Sequence, residues 1–293
     1  MWFIYALAAS FCSAFYYICN QNSILNPKLF IIYRGFIPVF LILPITLFMP
    51  PNFQWPFFLI ATIQGFAVSY LDYKIYKLFQ KYGAETVSSI QPLSVLITFV
   101  FWLVIRPSLL VVYMENLWNF SLIVLSILAI VYSVMKYRQQ TFVLACLHDM
   151  VPLLLIFSLI DITNKLIMEY ANHNLLAATI YRVLIVSSIV GLVNLGTGLQ
   201  RDLKITDLFK KENISAAWFT LLIPISMILV NFSALYADNP AYTSAVIYLS
   251  VIWILLLNKI SRYFSLPTNY KPIGRKWIIL LVIATMTLII TTS

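Results

Sequence analysis

Acidic side chains are scarce in this sequence: ten aspartates and glutamates among 293 residues, against 19 lysines and arginines and two histidines. Charged residues of both signs reach only 10%, where a soluble globular domain carries about 25%. The three cysteines, Cys12, Cys19 and Cys146, lie in or beside apolar stretches. Their odd number and placement exclude a disulfide framework, and no Cys/His spacing resembles a metal site. His148 and His173 are isolated and read as segment-end histidines. No HExxH, GxSxG, paired histidine or Asp-rich motif is present, and no Walker A sequence. The expectation is therefore no catalytic residues, no metal, no cofactor and no ATP hydrolysis by this chain.

What the sequence has in abundance is apolar length. It is 62% hydrophobic, against about 45–50% for a soluble domain, and spanning the hydrocarbon takes about 20 mostly apolar residues per helix. The chain reads as an all-α integral membrane protein. Its net charge of +9 sits in short connectors, where basic residues are topology signals and lipid-headgroup contacts. The bilayer is thus an expected partner and nucleic acid is not. Met1-Trp2-Phe3-Ile4 lacks the basic start of a cleavable signal peptide, so the first apolar stretch is expected to be a transmembrane helix.

Apolar runs against polar punctuation give ten spans: Trp2–Cys19, Lys28–Phe48, Trp55–Tyr76, Ala84–Ile105, Leu117–Val134, Phe142–Met168, Leu175–Leu195, Ser215–Tyr236, Ala241–Ile260 and Arg275–Ile290. Pro50-Pro51, Gly83, Arg106-Pro107, Asn239-Pro240 and Pro267 mark breaks between them. Within this pattern one phrase occurs twice, Ile32-Tyr33-Arg34 and Ile180-Tyr181-Arg182, at an offset of 148 residues. The same offset pairs Ser10 with Ser158, Asn26 with Asn174 and Ile37 with Ile185. Later the offset becomes 157, pairing Ala84 with Ala241, Thr86 with Thr243 and Ile90 with Ile247. Residues 1–138 and 139–293 thus read as two five-helix repeats. Because five is odd, the two must cross the membrane in opposite directions, as an inverted repeat.

Of the lysines and arginines in the connectors, all but Arg106 fall on one side of such a topology. The positive-inside rule puts that side in the cytoplasm and both termini outside. Among the basic connectors, Arg201–Glu212 sets Leu203, Leu208 and Phe209 between charges, as a short interfacial helix or a solvated loop would.

The two-repeat, ten-helix pattern resembles the drug/metabolite transporter superfamily, in its EamA-like branch, over essentially the whole chain. The residues that carry the likeness are Asp161, Asn164, Lys165 and Arg182 in the second half, and Ser13 and Arg34 in the first. Thr86-Val87-Ser88-Ser89-Ile90-Gln91-Pro92-Leu93 is similar to that family's fourth helix, and Pro272-Ile273-Gly274 to its connector into the tenth. The glutamate common at the ends of the family's fourth and ninth helices is missing, with Arg106 and Lys259 nearby instead, and seven glycines are few for it. Members are usually drawn with cytoplasmic termini, opposite to the charge pattern here. The resemblance implies secondary transport by alternating access.

An ionisable side chain inside a span costs roughly 2.5–3.5 kcal/mol on insertion scales, so it normally pairs or faces a cavity. Asp161 and Lys165, four apart on one helical face, can pair with each other or bind substrate. Arg34 and Arg182, about seven residues into their spans, read as structural charges that snorkel or tie down a neighbour, or as cavity charges. Asp72 reads as more interfacial than cavity-facing. Repeat mating adds Gln91 with Tyr248, Lys74 with Asn231, and Tyr17 with Lys165, and Trp253 joins Tyr248 as a mid-span aromatic. The substrate-binding candidates are therefore Asp161, Lys165, Gln91, Tyr248, Tyr17, Asn231, Trp253 and Asp72.

The expected function is a permease for a small polar or zwitterionic metabolite such as an amino acid, with protons as a candidate coupling ion through Asp161, or exchange in place of coupling. An exchanger of S-adenosylmethionine or a nucleotide-type metabolite is the alternative within transport. A polytopic membrane enzyme, a lipid-handling protein or an assembly subunit is the alternative outside it. The Ile-, Asn- and Lys-leaning composition points to a bacterial inner membrane.

Overall fold

The computed structural model describes residues 1–21, 26–82, 87, 90–138, 144–171, 174–199, 204–250, 252–254, 256–257 and 275–292. Among these every regular element is a helix: α1 (Trp2–Gln21), α2 (Pro27–Thr46), α3 (Trp55–Tyr82), α4 (Leu93–Ile105), α5 (Pro107–Glu115), α6 (Leu117–Arg138), α7 (Leu144–Glu169), α8 (Leu175–Leu199), α9 (Ile205–Leu208), α10 (Lys211–Ala216), α11 (Leu222–Tyr236), α12 (Pro240–Ile247) and α13 (Arg275–Thr292). A 3-10 turn, Trp218–Leu221, leads into α11.

Asparagine starts several of these helices. Asn26 and Asn239 stand before a proline, and their side chains accept from Lys28 N and Ala241 N at 3.0 Å. Asn174 accepts from Ala177 N at 3.2 Å. Each meets an orphan N–H of the first turn, and proline at the first helical position has none to meet.

Among the described residues five helices are long and apolar enough to cross a membrane: Lys28–Thr46, Leu117–Lys136, Ala145–Glu169, Leu175–Gly198 and Trp218–Tyr236. A sixth span is reached if α4 and α5, bent by 100° at Arg106, count as one. Phe40, Phe48, Trp55, Val104, Trp118 and Ile290 are each more than 70% exposed. That much large apolar surface suits lipid and not water. The chain reads as a multi-pass membrane protein.

Among the described residues the helices depart from the expected ten segments in several places: Ala84–Ile105 is interrupted at Gln91-Pro92, Ser215–Tyr236 is split by the 3-10 turn, Ala241–Ile260 breaks after Ile247, and two connectors hold helices of their own. α5 occupies a stretch expected to be connector; it buries no residue and exposes Leu110, Val111, Val112 and Met114. The region expected as one interfacial helix or a loop holds two short helices, α9 and α10, while Arg201–Leu203 lies outside the described residues. In this connector Lys210 Nζ stands 2.7 Å from Asp207 Oδ1, and that hydrogen bond holds the Asp207 carboxyl below its ordinary range.

The most extensive packing runs between the two halves of the sequence. α2 lies along α8, α6 along α13, α1 along α11, and α3 along both α7 and α8; α4 packs on α7 and α12, and α1 on α12. Glycine makes the α2–α8 crossing possible. A Cβ added at Gly35 would sit 2.3 Å from the Cα of Gly191, so the two backbones touch there. Gly65 lets α3 meet the Ile189 side chain of α8 in the same way, with 2.8 Å to an added Cβ.

Candidate functional site

Beside the α2–α8 crossing is a cavity of about 160 Å³, walled by α2, α3, α7, α8 and α11. Its polar lining is Arg34, Asn164, Arg182, Ser187 and Ser226; the rest is apolar, with Val68, Ile160, Val186 and Met227 among it. The arginines of the two Ile-Tyr-Arg phrases therefore face one space.

Arg182 lines this cavity and is 3% exposed. It neither snorkels nor ties down a carbonyl. Its Nε donates to Gln64 Oε1 at 2.7 Å, Nη1 to Asn231 Oδ1 and Nη2 to Asn164 Oδ1. Gln64 Nε2 in turn donates to Asn164 Oδ1 at 2.6 Å, to Thr163 Oγ1 at 3.0 Å and to the Ile160 carbonyl at 3.2 Å. One guanidinium thus joins α3, α7, α8 and α11 through three neutral amides. Asn231, a repeat-mating candidate, belongs to this network; it is fully buried, and its Nδ2 has no partner among the described residues.

Arg34 is held differently. Its Nη1 lies 2.5 Å from Asp72 Oδ1, with side-chain exposures of 27% and 6%. Asp72 is thus a buried partner of a cavity arginine, and its Oδ2 has no hydrogen-bond partner among the described residues.

The expected Asp161–Lys165 pair does not form. Asp161 Oδ2 accepts from Ser244 Oγ at 2.6 Å, with Thr98 Oγ1 at 3.5 Å, so it faces α12 and α4. Lys165 Nζ donates to the Ala237 carbonyl, and to that of Ala234 at 3.3 Å, with the Trp102 ring 5.6 Å away. The two side chains meet different neighbours, and neither lines the cavity. Burial sets this outcome: the C-terminal carbonyls of α11 are unsatisfied within their own helix and take the ammonium.

Gln91 and Tyr248, paired at offset 157, both sit in turns that interrupt their segments. The chain turns at Gln91-Pro92 before α4 and at Tyr248-Leu249 after α12. Pro92 (φ −58°, ψ −18°) and Tyr248 (φ −65°, ψ −10°) keep right-handed torsions. Local hydrogen bonds shorten to three residues, Ser94 N to Gln91 O at 3.0 Å and Leu249 N to Val246 O at 2.9 Å. These are 3-10-like steps, a common mark of hinges within helices. Trp253 donates to Ser10 Oγ at 2.9 Å and meets Phe11 edge-on, a packing role away from the cavity. The Tyr17 side chain lies outside the described residues.

Gln64, Ser187 and Ser226 escaped the sequence reading. The signal for Gln64 was present, an amide in the middle of the apolar run Ala61–Val68. Ser187 and Ser226 gave none, because serines are common in membrane helices as packing residues. Among the described residues no cluster of three or more His, Cys, Asp or Glu could hold a metal ion. Comparison with models of known protein families gives no match, and comparison with curated proteins gives none either.

Proposed function

We propose that this chain is a secondary transporter that moves a small polar metabolite across a membrane, a bacterial inner membrane by its composition, through alternating access. The reading takes it as ten spans in two inverted five-helix repeats, akin to EamA-like carriers. One observation carries it above others: the arginines of the duplicated phrase face a single cavity where the halves meet. Carriers of inverted-repeat design place their site at that contact.

The helix pairings support the same reading. Exchange of the halves turns α2 into α8, α6 into α13 and α4 into α12, and each of these counterparts packs on its mate. The same exchange turns α1–α11 into α7–α3 and α1–α12 into α7–α4, which are also packed pairs. Among the most extensive pairs the exception is α3–α8, whose counterpart α11–α2 is slight; the lesser contacts of α11 and α12 with the second half are likewise not mirrored in the first. Arg34 of α2 and Ser226 of α11, on that thinly packed pair, both line the cavity. Its volume of about 160 Å³ favours a small substrate over a nucleoside-sized one. Uptake into proteoliposomes of amino acids, short carboxylates and S-adenosylmethionine, with and without a pH gradient, tests the reading. Saturable uptake of at least one supports it, and a flat response across the panel counts against it.

A further inference from the structure

We infer that the cavity is a site for a small organic monoanion, one carboxylate on an apolar body, with Arg182 as the main anion contact and Arg34 as the second. The inference rests on the carrier reading only in holding that the bound anion is also carried.

Donor count is the first argument. A guanidinium has five N–H donors; Arg182 spends three on Gln64, Asn231 and Asn164, and two are left without a partner among the described residues. Asn231 Nδ2, on an amide that already accepts from Arg182, is unpartnered as well. Around Arg182 donors are therefore in surplus, while the one spare acceptor nearby, Asp72 Oδ2, sits on the carboxylate that answers Arg34; a buried polar group without a partner calls for a ligand or water.

Charge gives the second argument. The cavity lining holds two guanidiniums and no carboxylate. Asp72 answers Arg34. No described carboxylate lies within ion-pair distance of Arg182. Asp161, bonded to Ser244, acts on Arg182 only at longer range. One buried positive charge is thus left to be neutralised, at the expense that intramembrane charge carries. A zwitterion would bring its ammonium among guanidiniums with no carboxylate on the wall to receive it, a like-charge juxtaposition.

Shape supplies the third. Val68, Ile160, Val186 and Met227 offer apolar wall that a bare phosphate would leave unused. A space of about 160 Å³ is near the size that takes a benzene-like guest.

Binding to the purified full-length chain in detergent tests this without requiring transport. Benzoate is compared by calorimetry with benzamide, its neutral isostere, and with benzylamine, valine and inorganic phosphate. Benzoate should bind, and benzamide and benzylamine should bind at least about tenfold more weakly, the worth of a charge-assisted hydrogen bond. Arg182→Gln also unties four helices, so Arg34→Gln carries the variant test and should weaken benzoate by about tenfold by the same measure. Equal affinity for benzamide, preference for valine, or phosphate binding as tight as benzoate overturns the proposal, as does no benzoate binding at millimolar concentration. Repetition in phosphatidylcholine and phosphatidylglycerol nanodiscs separates a soluble anion from a lipid headgroup; loss of binding only with phosphatidylglycerol overturns the soluble-substrate claim. Benzoate that binds in detergent but never exchanges across proteoliposomes leaves the site intact and removes the carrier reading instead.

Discussion

Arg182 is the side chain on which the interior most depends, because three amides from three other helices accept from it. Arg182→Gln strands buried acceptors on Gln64, Asn164 and Asn231, and should cost about 3 kcal/mol as a loss of thermal stability in detergent. Arg34→Gln should cost less, about 2 kcal/mol, since Arg34 is 27% exposed while Asp72 is left unpaired and buried. Adding Asp72→Asn should restore more than half of that loss, because the stranded charge is removed; a double variant as unstable as the single one would show that the pair is not the cause. Asp161, held by Ser244 and clear of the cavity lining, can carry coupling without touching substrate. Asp161→Asn should abolish stimulation of uptake by a pH gradient, and normal pH dependence in that variant removes the coupling role. These four charges were legible as exceptions in apolar text. Their partners were not: helical spacing places Lys165 beside Asp161, but the open carbonyls at the end of α11 outbid that neighbour, and such competition is decided in three dimensions.

At the scale of elements, backbone contact between α2 and α8 leaves no room for a side chain. Gly35→Ala would set a Cβ 2.3 Å from the Gly191 Cα, where no flexible group can yield. The helices must separate beside the cavity, and a stability loss of about 2 kcal/mol or more is expected. Gly196→Ala is the control: nothing lies within 4 Å, so the exchange should be neutral or stabilising by up to about 1 kcal/mol. Equal melting temperatures for the two variants would sink the argument. Helix positions were readable because apolar length and Asn-Pro starts are local signals, as at Asn26 and Asn239. A break at Arg106-Pro107 was readable from its proline. That Pro107–Glu115 continues as a helix was not, since its residues carry no buried face to give a period.

For the whole molecule, alternating access requires that contacts at the two ends of a moving helix open in turn, and α7 has such contacts at both ends. Near its start, Asp149 Oδ2 accepts from Lys81 Nζ and Tyr82 Oη, each at 2.8 Å. At its last residue, Glu169 receives Arg106 Nη2 on both carboxylate oxygens at 2.5 Å. In the ten-span orientation proposed from the charge pattern, the first clasp would face the cytoplasm and the second the outside. All four charged partners are partly exposed, so each clasp is weak and screened by salt. It can therefore bias a conformational balance without fixing it. Cys146, fully buried and one turn before Asp149, reports the first clasp. In a Cys12→Ser, Cys19→Ser background, Asp149→Asn should raise the rate of Cys146 alkylation by about two- to fivefold, the range a surface ion pair can supply. Glu169→Gln, releasing the other end, should leave that rate unchanged or lower it. High salt should reproduce the effect of Asp149→Asn in the parent and add little to the variant. Equal alkylation in all three proteins would mean that the clasps do not set which way the cavity opens, and that any rocking of α7 is governed instead by its packing against α3 and α4.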